Sequence, residues 1–235
     1  MLENYYISQK SKLLRNFDKA SKSVKRVLTL RYDDDLTDSI VQNARKEFEA
    51  VIPELPYIGG KKNMMTIFLI ESAYCLALYK VLKSRSESID EIGRAIYEIV
   101  EVRLDMAPKF ILRLYGKLKF GRLYLRRLRK QAARSQKRQY PGDWVFTFIE
   151  GDGREFDYGY DITECGLCKF LHAQNVDELA PFLCVVDFQI SKAFGRGLVR
   201  TMTLAEGAEK CDFRYKRDRE TQEGWPPAFL EGRQI

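Results

Sequence analysis

The spacing of apolar residues divides the chain into two parts with different periods. Up to about residue 140, apolar residues recur at spacings of three and four, which predicts amphipathic helices. One such set, which ends before Pro53, is Leu36, Ile40, Ala44, Phe48 and Val51. Between 144 and 161 the period shortens to two in aromatic and β-branched runs joined by Gly-Asp-Gly, so a β-hairpin is expected there.

Three further helices are predicted in the first half. An apolar helix is expected over 63–83. Ser88 and Glu91 have the spacing of a capping box, which would begin the next helix. After Pro108, one apolar seam along 111–132 predicts a single long helix.

The second half is predicted to alternate between hairpins and helices. Helical spacing resumes over 165–194, with an interruption at Pro181, and strands are expected at 199–204 and 211–216. Four antiparallel strands would bury one face under helices. The predicted fold is therefore α+β: a helical N-terminal half packed on a four-stranded antiparallel sheet with two further helices, in the order hairpin, helices, hairpin.

Length and composition are those of an ordinary globular protein. The 235 residues are 45% hydrophobic and 31% charged, which excludes collagen-like and wholly disordered chains. We expect a single domain over 1–235 with three parts, which are a helical half (1–140), a sheet-and-helix half (141–217) and a C-terminal extension (218–235).

Membrane insertion and export are not expected. The apolar stretch 64–82 contains Glu71 and Lys80, and a charge at the centre of a bilayer costs about 2.5 to 3.5 kcal/mol, so a buried helix is predicted. The N-terminus carries Glu3 and Gln9 before any apolar run, which is unlike a secretory signal. Five cysteines, an odd number, indicate free thiols and a cytoplasmic location.

The positive charge is concentrated in one segment. The chain has a net charge of +7, and residues 103–138 contain thirteen Lys and Arg with the single acid Asp105. Such a helix could bind phosphate backbones or anionic lipid, but no nucleic-acid motif surrounds it. We expect a solvated or partner-facing surface, with no nucleic acid and no membrane as partner, and a homo-oligomer could form through the seam.

Four cysteines and the only histidine fall within the last third of the chain. Cys165, Cys168 and His172 would share one face of a helix, Cys184 and Asp187 repeat this spacing on the next helix, and Cys211 follows in a strand. Buried packing is one explanation, and it is favoured for Cys211.

Three kinds of site remain open for this cluster. A thiolate nucleophile near a helix N-terminus could use His172 or Asp187 as its base or orienting group. A zinc cofactor could bind Cys165, Cys168 and Cys184 with His172 or Cys211. A redox pair of Cys165 and Cys168 is the third kind.

Three strings in this region resemble one known family. The order is TECGLCKFL at 163–171, ELAPFLCVVDF at 178–188 and RTMTLAEGAEKCDFRY at 200–215. This combination is similar to the L-2-amino-thiazoline-4-carboxylic acid hydrolase family, over about 144–215. Members that open the ring tend to carry Cys-Pro-x-His, whereas this chain has Cys165-Gly166-Leu167-Cys168.

The resemblance implies a hydrolase for a non-peptide C–N bond, which would open a cyclic amidine or thiazoline ring of a small-molecule substrate at a cysteine-centred site. The implied catalytic residues are Cys165, Cys168, Cys184 and Asp187. The implied substrate-binding residues are Arg200, which would hold a carboxylate, and Thr201.

A weaker resemblance supports a different class of function. Gly207, Cys211 and Phe213 are similar to the ending of vinyl-reductase-type domains. This alternative is a non-catalytic sensor module that binds a small molecule or a metal. Turnover of an amino-thiazoline carboxylate would favour the enzyme, whereas ligand-dependent melting shifts alone would favour the sensor.

Overall fold

The predicted α+β architecture is confirmed. A computed structural model describes residues 5–225, which contain eight α-helices and one four-stranded antiparallel sheet. The helices are α1 (Lys10–Leu28), α2 (Asp34–Val51), α3 (Thr66–Ser84), α4 (Ile89–Asp105), α5 (Lys109–Leu118), α6 (Arg122–Ser135), α7 (Gly166–Ala173) and α8 (Ala180–Phe194). The strands are β1 (Val145–Glu150), β2 (Tyr158–Glu164), β3 (Arg196–Val199) and β4 (Cys211–Arg217).

The sheet has the order β1-β2-β4-β3, so the first hairpin is joined to the last two strands through β2 and β4. Tyr160 lies opposite Phe213, and Leu198 lies opposite Tyr215. Because side chains alternate along a strand, these residues share the face that helices cover. The other face carries Asp161, whose carboxylate lies 2.7 Å from Lys210 Nζ.

Local signals place several helix ends as the sequence predicts. Ser88 and Glu91 form a complete capping box at the start of α4. Pro181 lies in the first turn of α8, where its missing N–H costs no hydrogen bond. Gly195 ends the same helix with a left-handed backbone (φ 67°), which glycine adopts without strain.

The core connects the two halves of the chain. Apolar side chains from α1 to α4 and from α8 belong to one buried cluster with Phe146, Tyr158, Phe213 and Tyr215 of the sheet. Within residues 5–225, no helix has the length and apolar character needed to cross a bilayer. The division into domains stays a prediction, and residues 226–235 of the predicted extension lie outside the described residues.

The prediction of one long basic helix is wrong. The segment forms two helices, because Gly121 takes an extended backbone conformation (φ −75°, ψ 147°) between them. Gly116 of α5 packs against α8, whereas Leu128 and Ala132 of α6 are buried near β1, and no single straight helix could reach both neighbours. Three apolar residues of the expected seam, Ile111, Leu114 and Leu118, are exposed instead. Their neighbours Phe110, Tyr115 and Leu123 are exposed as well.

The predicted strand at 199–204 is also misplaced. The chain enters the sheet directly after Gly195, and β3 ends at Val199. Beyond it, the N–H groups of Thr201 and Met202 donate to the Asp212 carboxylate at 2.8 and 2.9 Å. These side-chain bonds replace a backbone ladder, so a loop follows the short strand.

We expect Gly116→Ala to destabilise the protein. A Cβ at this position would lie 1.8 Å from the backbone oxygen of Phe194, so α5 would have to move away from α8. The expected loss is about 1 to 3 kcal/mol in the free energy of unfolding, measured by chemical denaturation. The neighbouring exposed change Lys117→Ala is the control and should stay within about 0.5 kcal/mol of the natural protein. Equal denaturation midpoints for Gly116→Ala and Lys117→Ala would contradict this account of the α5–α8 contact.

Candidate active site

A cavity of about 870 Å³ lies between the helices and the covered face of the sheet. Its wall is mostly apolar, and it is formed by α1 to α6, α8 and all four strands of the sheet, with Cys165 and Leu167 at the start of α7. The polar groups of the sheet side converge at one end, and they are Cys165, Cys184, Asp187, Arg196 and Arg200. Four residues of the predicted cysteine cluster thus line one cavity, although they come from three different elements, and they are Cys165, Cys184, Asp187 and Cys211.

Cys165 occupies the junction between β2 and α7. It is the N-cap of α7, with an extended backbone (φ −102°, ψ 116°), and its half-buried side chain lines the cavity. The neighbouring Cys168 thiol lowers the pKa of Cys165 and outweighs the effect of burial. The backbone N–H groups of Cys168 and Leu167 act in the same direction, although the side chain makes no formal capping hydrogen bond. Cys165 is therefore the thiol in this cluster that favours the thiolate.

Cys168 takes the opposite protonation state. The adjacent Cys165 thiolate and burial both raise the pKa of Cys168, so this thiol keeps its proton. Cys168 does not appear in the cavity wall. The two cysteines therefore form a pair in which Cys168 supports a charged Cys165.

Gly166 allows this turn to pack closely. A Cβ at position 166 would lie 2.6 Å from the Trp144 ring and 2.7 Å from the Gly142 carbonyl oxygen. The Cys-Pro-x-His pattern of the family resemblance would place proline here, and its Cβ would meet the same atoms. Trp144 therefore occupies space that a larger residue at this position would need.

Asp187 and Arg200 form an ion pair at the polar end of the cavity. Arg200 Nη1 donates to Asp187 Oδ2 at 2.9 Å, and Arg200 Nη2 donates to the Cys184 carbonyl at 3.0 Å. The guanidinium lies between the rings of Phe188 and Phe213, 4.9 and 5.1 Å from their centres. Only 4% of the Arg200 side chain is accessible, so its orientation is fixed.

The Asp187 carboxylate faces the cavity. Its side chain is 36% accessible although protein surrounds it, because the accessible side opens into the cavity. Burial raises the pKa of Asp187, and the Arg200 cation opposes that rise. A carboxyl group with a raised pKa can hold a proton more readily than a surface aspartate can.

Comparison with known families identifies the chain. Residues 68–215 match the family model described as L-2-amino-thiazoline-4-carboxylic acid hydrolase. The chain belongs to this family. The match begins in α3, so the family region extends well before the predicted 144–215 and contains every candidate residue named above. Neither the search of curated proteins nor that of solved structures found a match.

Cys184 and Cys211 keep their protons in this member of the hydrolase family. Burial raises the pKa of Cys184 well above the usual thiol value and that of Cys211 to about 11. Cys211 Sγ also accepts a hydrogen bond from the Leu204 N–H at 3.2 Å. Cys211 is 4% exposed, as expected of a packed thiol.

Besides Cys168, two predicted residues lie away from the cavity wall. The Thr201 hydroxyl donates to Asp212 Oδ2 at 2.7 Å on the exposed loop after β3. His172, expected on one helical face with Cys165, is 80% exposed and pairs with Asp177 at 3.0 Å. The helical face is lost because Cys165 precedes the first turn of α7.

The donors do not fit a zinc site. In the part of the chain that the structure describes, no group of three or more His, Cys, Asp or Glu side chains is arranged to hold a metal. His172 pairs on the surface instead, and Cys168 is directed to Cys165. The zinc hypothesis for this cluster is therefore not supported by the positions of its proposed ligands.

Arg196 is a cavity residue that the sequence reasoning missed. Its guanidinium lies 4.7 Å from the centre of the Tyr215 ring, and Nη2 donates to Ser191 Oγ at 3.3 Å. The buried Nε has no hydrogen-bond partner. The available signal was its position two residues before the buried Leu198, which places both on the covered face.

Proposed function

We propose that this protein hydrolyses the C–N bond of a cyclic amidine or thiazoline ring in a carboxylate-bearing small molecule, with Cys165 as the nucleophile. The observation that carries the proposal is the position of Cys165 at the start of α7. At this position Cys165 lines the cavity and also has a lowered pKa. A thiolate at neutral pH is the reactive form of cysteine.

The proposed reaction has two balanced steps. The Cys165 thiolate forms a C–S bond with the ring carbon that bears the amino group, and the bond from this carbon to the ring nitrogen breaks. That nitrogen takes a proton, for which Asp187 is the proposed donor because burial raises its pKa. Water then forms a C–O bond with the same carbon, and the C–S bond to Cys165 breaks, which restores the thiolate. The two protons of this water are both used: one completes the former ring nitrogen as an amine, and the other reprotonates Asp187.

The remaining predicted residues take supporting roles. Cys168 stabilises the Cys165 thiolate, and Cys184 lies beside the reacting groups as a neutral thiol whose backbone carbonyl fixes Arg200. Arg200 has N–H groups beyond the two that bind Asp187 and Cys184, and these could bind the substrate carboxylate. Thr201 holds the loop after β3 through Asp212, so we assign it a positioning role.

The proposal includes a cytoplasmic location, because a mechanism based on free thiols requires a reducing compartment. It includes no nucleic-acid and no membrane partner. It includes a homo-oligomer, whose interface could be formed by the exposed apolar side chains of α5.

We expect the protein to convert L-2-amino-thiazoline-4-carboxylate to S-carbamoyl-cysteine. Mass spectrometry of the incubated compound measures the product directly. A melting shift with this compound but no product would support the alternative, a small-molecule sensor module. The mostly apolar cavity favours that alternative as the second candidate, since such pockets bind ligands without chemistry as well.

A further inference from the structure

The cavity is larger than one five-membered ring requires. Pockets for drug-sized ligands measure roughly 300 to 1,000 Å³, and this one measures about 870 Å³. The part of the wall formed by α1 to α4 is mostly apolar and includes Phe17, Val41, Ala44, Leu78, Ile96 and Ile99. The charges of Glu71 and Arg103 in this wall compensate each other in an ion pair at 3.3 Å. An apolar group much larger than the ring would therefore find a matching surface.

Arg196 is a cation in this cavity without a direct ion pair. Among residues 5–225, Asp187 is the carboxylate that acts on Arg196 from a distance, and this carboxylate is already bound to Arg200. The hydrogen bond to Ser191 leaves the buried Nε unpaired. A cation removed from water is costly unless an anion compensates it. Arg196 is thus prepared for a negatively charged group that enters with a ligand.

The opening of the cavity has the same combination of apolar and positive groups. Leu118 and Leu123, which are 60% and 85% exposed, line the cavity together with Lys119 and Arg127. These residues belong to the end of α5, the turn after it and the first half of α6, within the basic segment 103–138. Positive charge around an opening raises the local concentration of anions.

From these observations we propose that the cavity binds carboxylates with a long apolar chain, with the carboxylate on Arg196, beside Arg200, and the chain among α1 to α4. This inference rests on the proposed function, because it names the class of substrate for the same site. The ring substrate would then carry an extended apolar substituent. Arg196 would be a specificity-determining residue.

The first test needs no variant. Calorimetry measures the binding of dodecanoate below its micelle concentration, with dodecanol and acetate as comparison compounds. Dodecanoate is expected to bind about 100-fold or more tightly than acetate, because each buried methylene adds affinity. It should also bind about 10- to 100-fold more tightly than dodecanol, since the alcohol cannot form a charged pair with Arg196.

A variant assigns the carboxylate to Arg196. Arg196→Gln should weaken dodecanoate binding about 10- to 100-fold and leave dodecanol binding unchanged. Arg214→Gln is the matched control, because Arg214 lies on the opposite face of the sheet, where it pairs with Asp161 at 2.7 Å. Equal binding of dodecanoate and dodecanol to the natural protein would overturn the proposal, whether or not the variant folds. The proposal would also be overturned if Arg196→Gln left dodecanoate binding unchanged. The same holds if the natural protein bound dodecanoate no more tightly than acetate.

The two proposals can fail separately. Cys165→Ser should retain dodecanoate binding, because Arg196 and the apolar wall are unchanged. Binding as described, without turnover of any ring compound, would leave the binding proposal standing and remove the proposed hydrolysis. Turnover of a ring compound without dodecanoate binding would leave the proposed hydrolysis standing and remove the binding proposal.

Discussion

Replacing Cys165 with serine is expected to reduce turnover of the ring substrate by a factor of roughly 10⁴ or more, because the hydroxyl cannot supply the thiolate that attacks the ring carbon. The same variant should lose rapid alkylation by iodoacetamide at neutral pH. In the natural protein, the alkylation rate should rise with pH through the lowered pKa of Cys165, below the free-thiol value of about 8.5. Peptide mapping by mass spectrometry identifies the labelled cysteine.

Cys75 provides a matched control for this prediction. It lies on α3 in the cavity wall, and burial raises its pKa to about 12. Cys75→Ser should therefore retain both turnover and rapid alkylation. Rapid labelling that persists in Cys165→Ser, or disappears in Cys75→Ser, would show that Cys165 is not the reactive thiol.

Replacing Arg200 with methionine is expected to destabilise the protein by about 2 to 4 kcal/mol, because the partly accessible Asp187 carboxylate would lose its buried counterion. The cost should depend on pH. Without the cation, the pKa of folded Asp187 lies further above its unfolded value, so stability is present at low pH and is lost as pH rises through the folded pKa. Denaturation experiments at several pH values between about 4 and 8 measure this change.

A second variant and a surface control separate the ion pair from general damage. Asp187→Leu combined with Arg200→Met should recover much of the lost stability, because neither charge is then buried alone. Arg138→Met removes the exposed pair with Glu164 at 2.8 Å and should cost about 0 to 1 kcal/mol. If Arg200→Met and Arg138→Met had the same free energy of unfolding at every pH, the Arg200–Asp187 pair would not be important for stability.

The sequence by itself determined the type and order of most elements. Helical and strand periods are local, so the N-terminal helices, the first hairpin and the α+β class follow from the apolar pattern. The capping box of Ser88 and Glu91 is equally local, since all its atoms lie within one turn. The cysteine strings also sufficed for the family, because they preserve residue types at fixed spacing.

Only the tertiary structure decided which of these residues meet. The break at Gly121 and the pairing of Arg200 with Asp187 depend on contacts between different elements, and a periodic pattern contains no information about them. The same holds for Arg196, whose position two residues before Leu198 indicates a face of the sheet but not the absence of a direct ion pair. Charge compensation and pKa depend on distances in space, and those distances are fixed by how helices and sheet pack around the cavity.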